Sequence, residues 1–381
     1  MILANLPLLI ALLLPSALGQ GWGGKKTAAP AESPSPPPVP EIALFPSGLP
    51  LVVGDVPEGL ANITAQGCNA CHFQAHDDWA QSGHARAGES PLFQAAIKRA
   101  GNSTACTQCH RPLQAQHARL AAGYIEGDLS RPHIVDNPSF DATLMAEGVG
   151  CAACHVREGQ IVSTRQVTGA PHPVGLSTAL GQSTLCATCH QLSYPESDKP
   201  FYDTFGEWSA SPHAAAGIQC QDCHMPPRPG VATASRFAAS PDHRFEAKLS
   251  RALTVLVDLS SDTLQRGEAT LVGVRLQNTG AGHHVPTGSP YKTLQIQIQL
   301  HDASGAVLVQ APAEVLGRTV STDPPYTTQD DNRIPAGGEH EFTAEILVPH
   351  KIKAGPVALV VQATQGGDAP TILTSIPLEL N

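Results

Sequence analysis

Residues 67–85 read GCNACHFQAHDDWAQSGHA, with two cysteines and three histidines in one short segment. The pattern Cys68-Asn-Ala-Cys71-His72 is not isolated. It recurs as Cys106-Thr-Gln-Cys109-His110, Cys151-Ala-Ala-Cys154-His155, Cys186-Ala-Thr-Cys189-His190 and Cys220-Gln-Asp-Cys223-His224, and these copies use all 10 cysteines of the chain. C-x-x-C-H is the attachment signature of haem c: two thiols form thioethers with the porphyrin, and the adjacent histidine reaches the iron from one face. Zinc held by paired cysteines does not require a histidine after every second cysteine, and a disulfide framework leaves those histidines unexplained. The spacing therefore predicts five covalently attached haem c groups (iron). Cys68, Cys71, Cys106, Cys109, Cys151, Cys154, Cys186, Cys189, Cys220 and Cys223 are the attachment points, and His72, His110, His155, His190 and His224 the proximal ligands. Aromatic residues make up only 4% of the chain, and five porphyrins would supply the missing apolar bulk.

The second axial position separates an electron carrier from a catalyst. Outside the motifs, residues 60–245 hold His76, His84, His117, His133, His172, His213 and His243. Beyond the initiator the only methionines are Met145 and Met225, and Met225 adjoins a proximal histidine, so histidine on both faces is the expected ligation, with low potentials. A helix from His72 would carry His84 about 18 Å along its axis, so His84 is expected to serve a neighbouring haem. The segments DDWAQSGHARAG (77–88) and GEWSASPHAAAG (206–217) share W-x-x-S-x-H-A, which places His84 and His213 in equivalent roles. His84, His172 (in GAPHPVG), His213 and His243 (in PDHRF) are the first candidates for distal ligands. His117, His133 and His283 are second-rank candidates, and His76 is read as a packing residue. No catalytic residue is assigned.

The run CNACH followed by W-x-x-S-x-H-A, then CTQCH, EGVGCAACH (147–155) and CATCH, resembles the cytochrome c-554 family of tetrahaem cytochromes over about residues 66–192. That resemblance implies that His84 and His172 are distal ligands and that the haems form stacked and perpendicular pairs. In the family's best-known member the second haem lacks a protein distal ligand, which corresponds here to the haem on Cys106, Cys109 and His110. The chain departs from the family in a fifth motif, GIQCQDCHMP (217–226), similar to those of pentahaem and octahaem cytochromes of the nitrite reductase and hydroxylamine oxidoreductase group. It departs again in its last third. There, GAGHHVPTG (280–288) resembles the GHxxPTG loop of multihaem cytochromes that carry a β-sandwich, with His283 on the motif's histidine.

Outward from the motifs, residues 1–19 carry an apolar stretch ending in Ala17-Leu18-Gly19 and are read as a secretory signal peptide. Residues 20–60 form a Pro-rich linker or N-terminal arm, 61–245 the pentahaem domain, mainly α and irregular, and 246–381 an all-β domain. In this last part TLQIQIQL (293–300) alternates apolar and polar residues. Similar runs at 252–259, 270–277, 306–310, 341–348, 357–363 and 371–380, with DASG (302–305) as a hairpin turn, suggest an immunoglobulin-like sandwich.

A net charge of -10 argues against a nucleic-acid partner and suits redox partner proteins, donor and acceptor. The reading is an exported protein, periplasmic or carried to the cell surface, without a membrane span after signal cleavage, that passes single electrons. Two alternatives stay open. One is a multihaem oxidoreductase acting on nitrite, hydroxylamine or nitric oxide at one five-coordinate haem. The other is a subunit of an extracellular cytochrome filament, with oligomerisation completing a haem.

Overall fold

The computed structural model describes residues 41–381 except 47, 100–103, 128–130, 195, 234–235, 324 and 367; in addition, the side chains of 92, 99, 104–106, 127, 231, 236 and 237 lie outside the description. The expected signal peptide and the first half of the Pro-rich arm therefore fall outside the described residues. The described chain belongs to one compact unit. Residues 41–60, the second half of the arm, pack on the helical half of the chain: Leu44, Leu51 and Val53 are buried, and Leu51 bridges to Leu113.

Up to about residue 250 the chain is short helices, loops and small strand pairs. The helices are α1 (Ala65–Ala80), α2 (Pro91–Arg99), α3 (Thr104–His110), α4 (Ala142–Ala146), α5 (Cys151–His155), α6 (Ser183–His190), α7 (Thr204–Ser209), α8 (Pro212–Ala215), α9 (Cys220–His224) and α10 (Leu249–Ala252). All five C-x-x-C-H motifs lie on helices, and in four of them the histidine is the last helical residue; in α1 the helix kinks at His72 (φ -111°, ψ 42°). A helical turn is what the chemistry requires, because residues three and four apart share one face. The apolar cluster in this half is small: Leu51, Val53, Ile63, Leu113, Leu144, Ala152, Ala153 and Val156.

From residue 253 the fold changes to two β-sheets. The strands are β1 (Leu253–Leu259), β2 (Thr263–Leu264), β3 (Ala269–Asn278), β4 (Leu294–Asp302), β5 (Val307–Gln310), β6 (Glu314–Leu316), β7 (Glu339–Leu347), β8 (Gly355–Gln365) and β9 (Thr371–Leu380). One sheet has the order β1-β3-β7; the other runs β2-β9-β8-β4-β5, with β6 also on β4. All pairings are antiparallel except β2 with β9. Inward residues of both sheets share one core, with Val272, Val274, Leu276 and Ile346 from the first and Leu294, Ile296, Ile298, Leu359 and Val361 from the second. The alternation in β4 holds for Gln295 and Gln297, which lie off the core face. Gln299 is buried and satisfies its amide on Gln310 at 2.8 Å and His301 at 2.8 Å. The DASG turn forms as expected: Asp302 Oδ1 accepts from the N–H groups of Ser304 (2.8 Å) and Ala306 (3.0 Å), and Gly305 takes φ +86°, a conformation glycine adopts at no steric cost. Four strand segments escaped the periodicity, β2, β6 and the hairpin Arg318–Val320 with Thr328–Asp331, because each is too short to show a period.

Among the described residues no helix is long and apolar enough to cross a membrane.

Candidate haem sites

Nine of the ten motif cysteines have described side chains, and that of Cys106 lies outside the description. Their contacts join motifs far apart in sequence. Cys68 lies beside Cys151, Cys109 beside Cys189, and Cys186 beside Cys220. Cys154 lies within electrostatic reach of Cys186 and Cys189. The first motif thus sits beside the third, the third beside the fourth, and the fourth beside both the second and the fifth.

The histidines come in facing pairs. His84 and His190 have ring centroids 6.3 Å apart, His155 and His243 6.3 Å, and His224 and His283 6.2 Å with planes only 11° from parallel. Each pair joins one motif histidine to one from elsewhere. Metal–imidazole bonds of about 2 Å on either side of one ion, plus the radius of each ring, give a centroid separation of about 6 Å, so each pair fits an iron held on both axes.

Backbone carbonyls orient most of these rings. Nδ1 of His72 lies 3.0 Å from Ala232 O, that of His110 2.7 Å from Ala87 O, that of His155 3.1 Å from Val162 O and that of His224 3.0 Å from Glu246 O. The non-motif rings of His243 and His283 do the same, to Pro241 O at 2.9 Å and His284 O at 2.9 Å. A carbonyl can only accept, so Nδ1 carries the proton and Nε2 is left with a lone pair for a metal. Burial keeps the rings neutral: it depresses His84 and His155 to about 4 and lowers His110, His190, His243 and His283 as well. A neutral imidazole is the ligating form.

Other candidates are placed differently. His117 is turned the other way, with Nε2 2.8 Å from Arg111 O. His133 is exposed on the strand Pro132–Asp136. His172 is partly exposed, with Nδ1 3.4 Å from Pro173 O. His213 has its Nδ1 buried without a hydrogen-bond partner. Among the described residues none of these four faces another imidazole at comparable distance, and neither do His72 and His110. His110 instead stacks on Phe93, at 3.8 Å and 9°. His76 tilts against Trp79 at 5.7 Å.

The W-x-x-S-x-H-A repeat is structural as well as textual. Trp79 Nε1 donates to Val149 O at 2.8 Å while Val149 N–H donates to His84 O at 3.0 Å; Trp208 Nε1 donates to Ile218 O at 3.0 Å while Ile218 N–H donates to His213 O at 3.0 Å. Ser82 and Ser211, both buried, each accept from the N–H three residues on, at 3.3 Å. Val149 and Ile218 stand two residues before Cys151 and Cys220, so each unit clamps the backbone entering a C-x-x-C motif. Gly148, at φ +61°, lies in this crossing, and a Cβ there would come within 2.7 Å of His84 O.

Several supporting residues carry no sequence signal. Phe245 (φ +52°) sets its ring edge against His84 at 4.3 Å and His243 at 6.0 Å. Arg157, only 2% exposed, donates to the carbonyls of Ala152 (3.2 Å), Ala153 (2.7 Å), Val156 (2.5 Å) and Leu44. Glu207 is buried where the helical half meets the β half. It accepts from Arg333 Nη1 (2.6 Å), Thr287 Oγ1 (2.5 Å) and His284 N–H (3.1 Å). Burial opposes its ionisation, but the bonds from His284 and Thr287 and the charge of Arg333 prevail and hold it at about 2.

Residues 67–126 match the family model for cytochrome c554 and c-prime. Among solved structures, a penta-heme cytochrome c552 from Thermochromatium tepidum superposes with a TM-score of 0.56 at 18% identity, over 83% of this chain and 98% of that one. A β-glucosidase from Listeria innocua follows at a TM-score of 0.20 and 17% identity, over 34% of this chain and 16% of that one, too low to carry an argument. No curated protein matches the chain.

Proposed function

Taking as premise that the chain is a multihaem c-type cytochrome, we propose that it carries single electrons through five haems, most of them held between two histidines. The observation that carries this reading is the set of three facing pairs, His84 with His190, His155 with His243 and His224 with His283, each at 6.2–6.3 Å. The third, fourth and fifth motifs then bind haem with His243, His84 and His283 as distal ligands. His117, whose Nε2 donates to Arg111 O and so leaves Nδ1 as its free nitrogen, stays with His133, His172 and His213 as a candidate for the first and second motifs. When bound, haem supplies a one-electron iron couple; the chain supplies the rest. Carbonyl acceptors fix the imidazole tautomers, burial keeps the rings neutral, and the thiol contacts order the motifs as 1–3–4 with 2 and 5 branching from 4. Two neutral imidazoles per iron favour low potentials. An exported, periplasmic or cell-surface location, an immunoglobulin-like topology for the β half and redox partners with basic faces complementary to the net charge of -10 belong to the same proposal.

A second reading rests on His110, which faces no imidazole among the described residues and has Phe93 against its ring. A haem there, if five-coordinate, suits chemistry on nitrite, hydroxylamine or nitric oxide. Electron paramagnetic resonance and potentiometry of the purified holoprotein decide between the readings. Carriage requires at least three low-spin bis-histidine haems at low potential and no turnover of those three compounds. A wholly high-spin spectrum, or rapid turnover at one haem, overturns it.

A further inference from the structure

We propose that Glu207 is a positioning residue through which the β half keeps His283 seated opposite His224, so that the β half acts as a detachable axial-ligand arm for the haem of the fifth motif. The inference rests on the reading of His283 as that haem's distal ligand. Glu207 lies on α7, in the helical half, while every group it grips belongs to the β half. His284 N–H and Thr287 Oγ1, at 3.1 and 2.5 Å, are both in the loop 282–288 that presents His283. Arg333, which pairs with the same carboxylate at 2.6 Å, enters from the segment following the hairpin and is itself anchored on Asp331 at 2.7 and 3.0 Å. The side chains of Glu207 and Arg333 are only 3% and 7% exposed.

The grip falls one residue from the imidazole in question. From the β half alone, His283 is held by Asn278 Nδ2 on its carbonyl at 2.8 Å and by its own Nδ1 on His284 O at 2.9 Å. Both restraints travel with the loop. Its placement against α9, which carries His224, comes from the contacts that cross between the halves. Among these, the Thr204–Thr287 hydroxyl pair at 3.0 Å and the Arg318 bonds to the carbonyls of Pro200 and Phe201 at 2.9 and 3.0 Å are the neighbours of the Glu207 cluster. A buried carboxylate that has lost its cation, or a buried cation that has lost its carboxylate, is strongly unfavourable. The two halves therefore either dock with Glu207 engaged or separate, and His283 leaves with the loop.

The test uses the full-length holoprotein and two readouts, the high-spin fraction in the ferric state and the rate of carbon monoxide binding in the ferrous state. His283→Ala should open one haem of the five and bind carbon monoxide there. Glu207→Ala should raise the carbon monoxide rate at that same haem about ten-fold or more, the scale of losing a charge-assisted hydrogen bond, and added imidazole should restore the low-spin spectrum. Thr287→Val leaves the ion pair intact and should give a smaller rise in the same direction, which keeps the test available should Glu207→Ala fail to fold. If His283→Ala opens a haem but neither Glu207→Ala nor Thr287→Val changes the rate, Glu207 is an ordinary interdomain contact and the inference falls alone. If His283→Ala leaves every haem low-spin, the ligand assignment itself is wrong.

Discussion

The imidazoles of His84 and His190 face one another at 6.3 Å with 64° between their planes. The pair spans two motifs, since His84 follows the first C-x-x-C-H and His190 ends the fourth, and Phe245 closes its edge at 4.3 Å. A ligand drawn from a distant segment would fix the haem and tie the segments together. His84→Ala should therefore convert one haem from low to high spin while all five remain attached, because thioether formation uses only the C-x-x-C-H motif. Intact mass and the ferric spectrum check both halves of the statement; a fully low-spin variant rejects the assignment.

The two halves owe their stability to different materials. Among the described residues, twenty-two buried apolar side chains form the core between the β-sheets, whereas the helical half has a cluster of eight. Burial of a Leu, Ile or Val side chain contributes about 1.5–3 kcal/mol, so the β half has a core of its own and the helical half depends on its porphyrins. Chain made without haem attachment should fold only from about residue 250 onward. Limited proteolysis with mass spectrometry should find that segment protected and residues 61–245 cut; equal resistance of both halves contradicts the prediction.

Attachment needs a fixed local spacing, which is why Cys68 to His72 and its four repeats could be read directly. The β half was legible for a similar reason, since alternation over seven or more residues, as in β4, has no other economical reading. Pairing between distant histidines leaves no local trace. His172 and His243 looked alike as loop histidines beside prolines, yet only His243 meets a motif histidine, because Phe245 and the turn at 241–245 aim it at His155. His283 ranked below both as one residue of a Gly-Pro loop, and it is the one brought to His224 by the β half. The W-x-x-S-x-H-A repeat, read as placing His84 and His213 in equivalent roles, folds into equivalent backbone clamps at Trp79 and Trp208, while among the described residues only His84 of the two faces another imidazole. Nothing in the sequence singles out Glu207 or Arg333; the meeting of the two halves buries them.

Arg157 supplies a third test. Its guanidinium is buried against four carbonyls, of which Ala152 and Ala153 belong to the helix of the third motif and Leu44 to the packed arm. Arg157→Met takes the side-chain donor away from these carbonyls, of which Ala152 O keeps the N–H of Val156, at about 1–3 kcal/mol for each left unpaired where water cannot reach. Unfolding of the haem region, followed in the Soret band, should be destabilised by about 3 kcal/mol or more, and the transition of the β half should stay in place. Removal of a buried positive charge near Cys154 should also lower the potential of the adjacent haem, since the oxidised iron carries the greater positive charge. Arg157→Lys should keep the potential nearer wild type while still losing stability, because one ammonium cannot reach all four carbonyls. A Soret transition unmoved in Arg157→Met removes the proposed role.

Glu147 is a half-buried carboxyl that holds its proton up to about neutral pH. It opens the EGVGC run before the third motif, and its Oε1 accepts from Ala65 N–H at 2.7 Å, at the start of the helix that carries Cys68 and Cys71. Burial raises its pKa from 4.5 to about 7, against the pull of the N–H bonds from Ala65 and Gln66. The folded state thus holds this proton more tightly than the unfolded one. Its contribution to stability is full below about pH 4.5 and is lost as pH rises through 7. The same proton couples to redox state. An electron on a haem of the first or third motif adds negative charge nearby, raises the carboxyl pKa further and draws a proton in, so those potentials should fall as pH rises around 7 and level off well above it. Glu147→Gln keeps an acceptor for Ala65 N–H but cannot ionise. It should flatten the potential-versus-pH curve of those haems and narrow the gap in thermal stability between pH 4 and pH 8. Redox titrations of both proteins across that range decide the matter: parallel slopes in wild type and variant would show that the proton is held elsewhere.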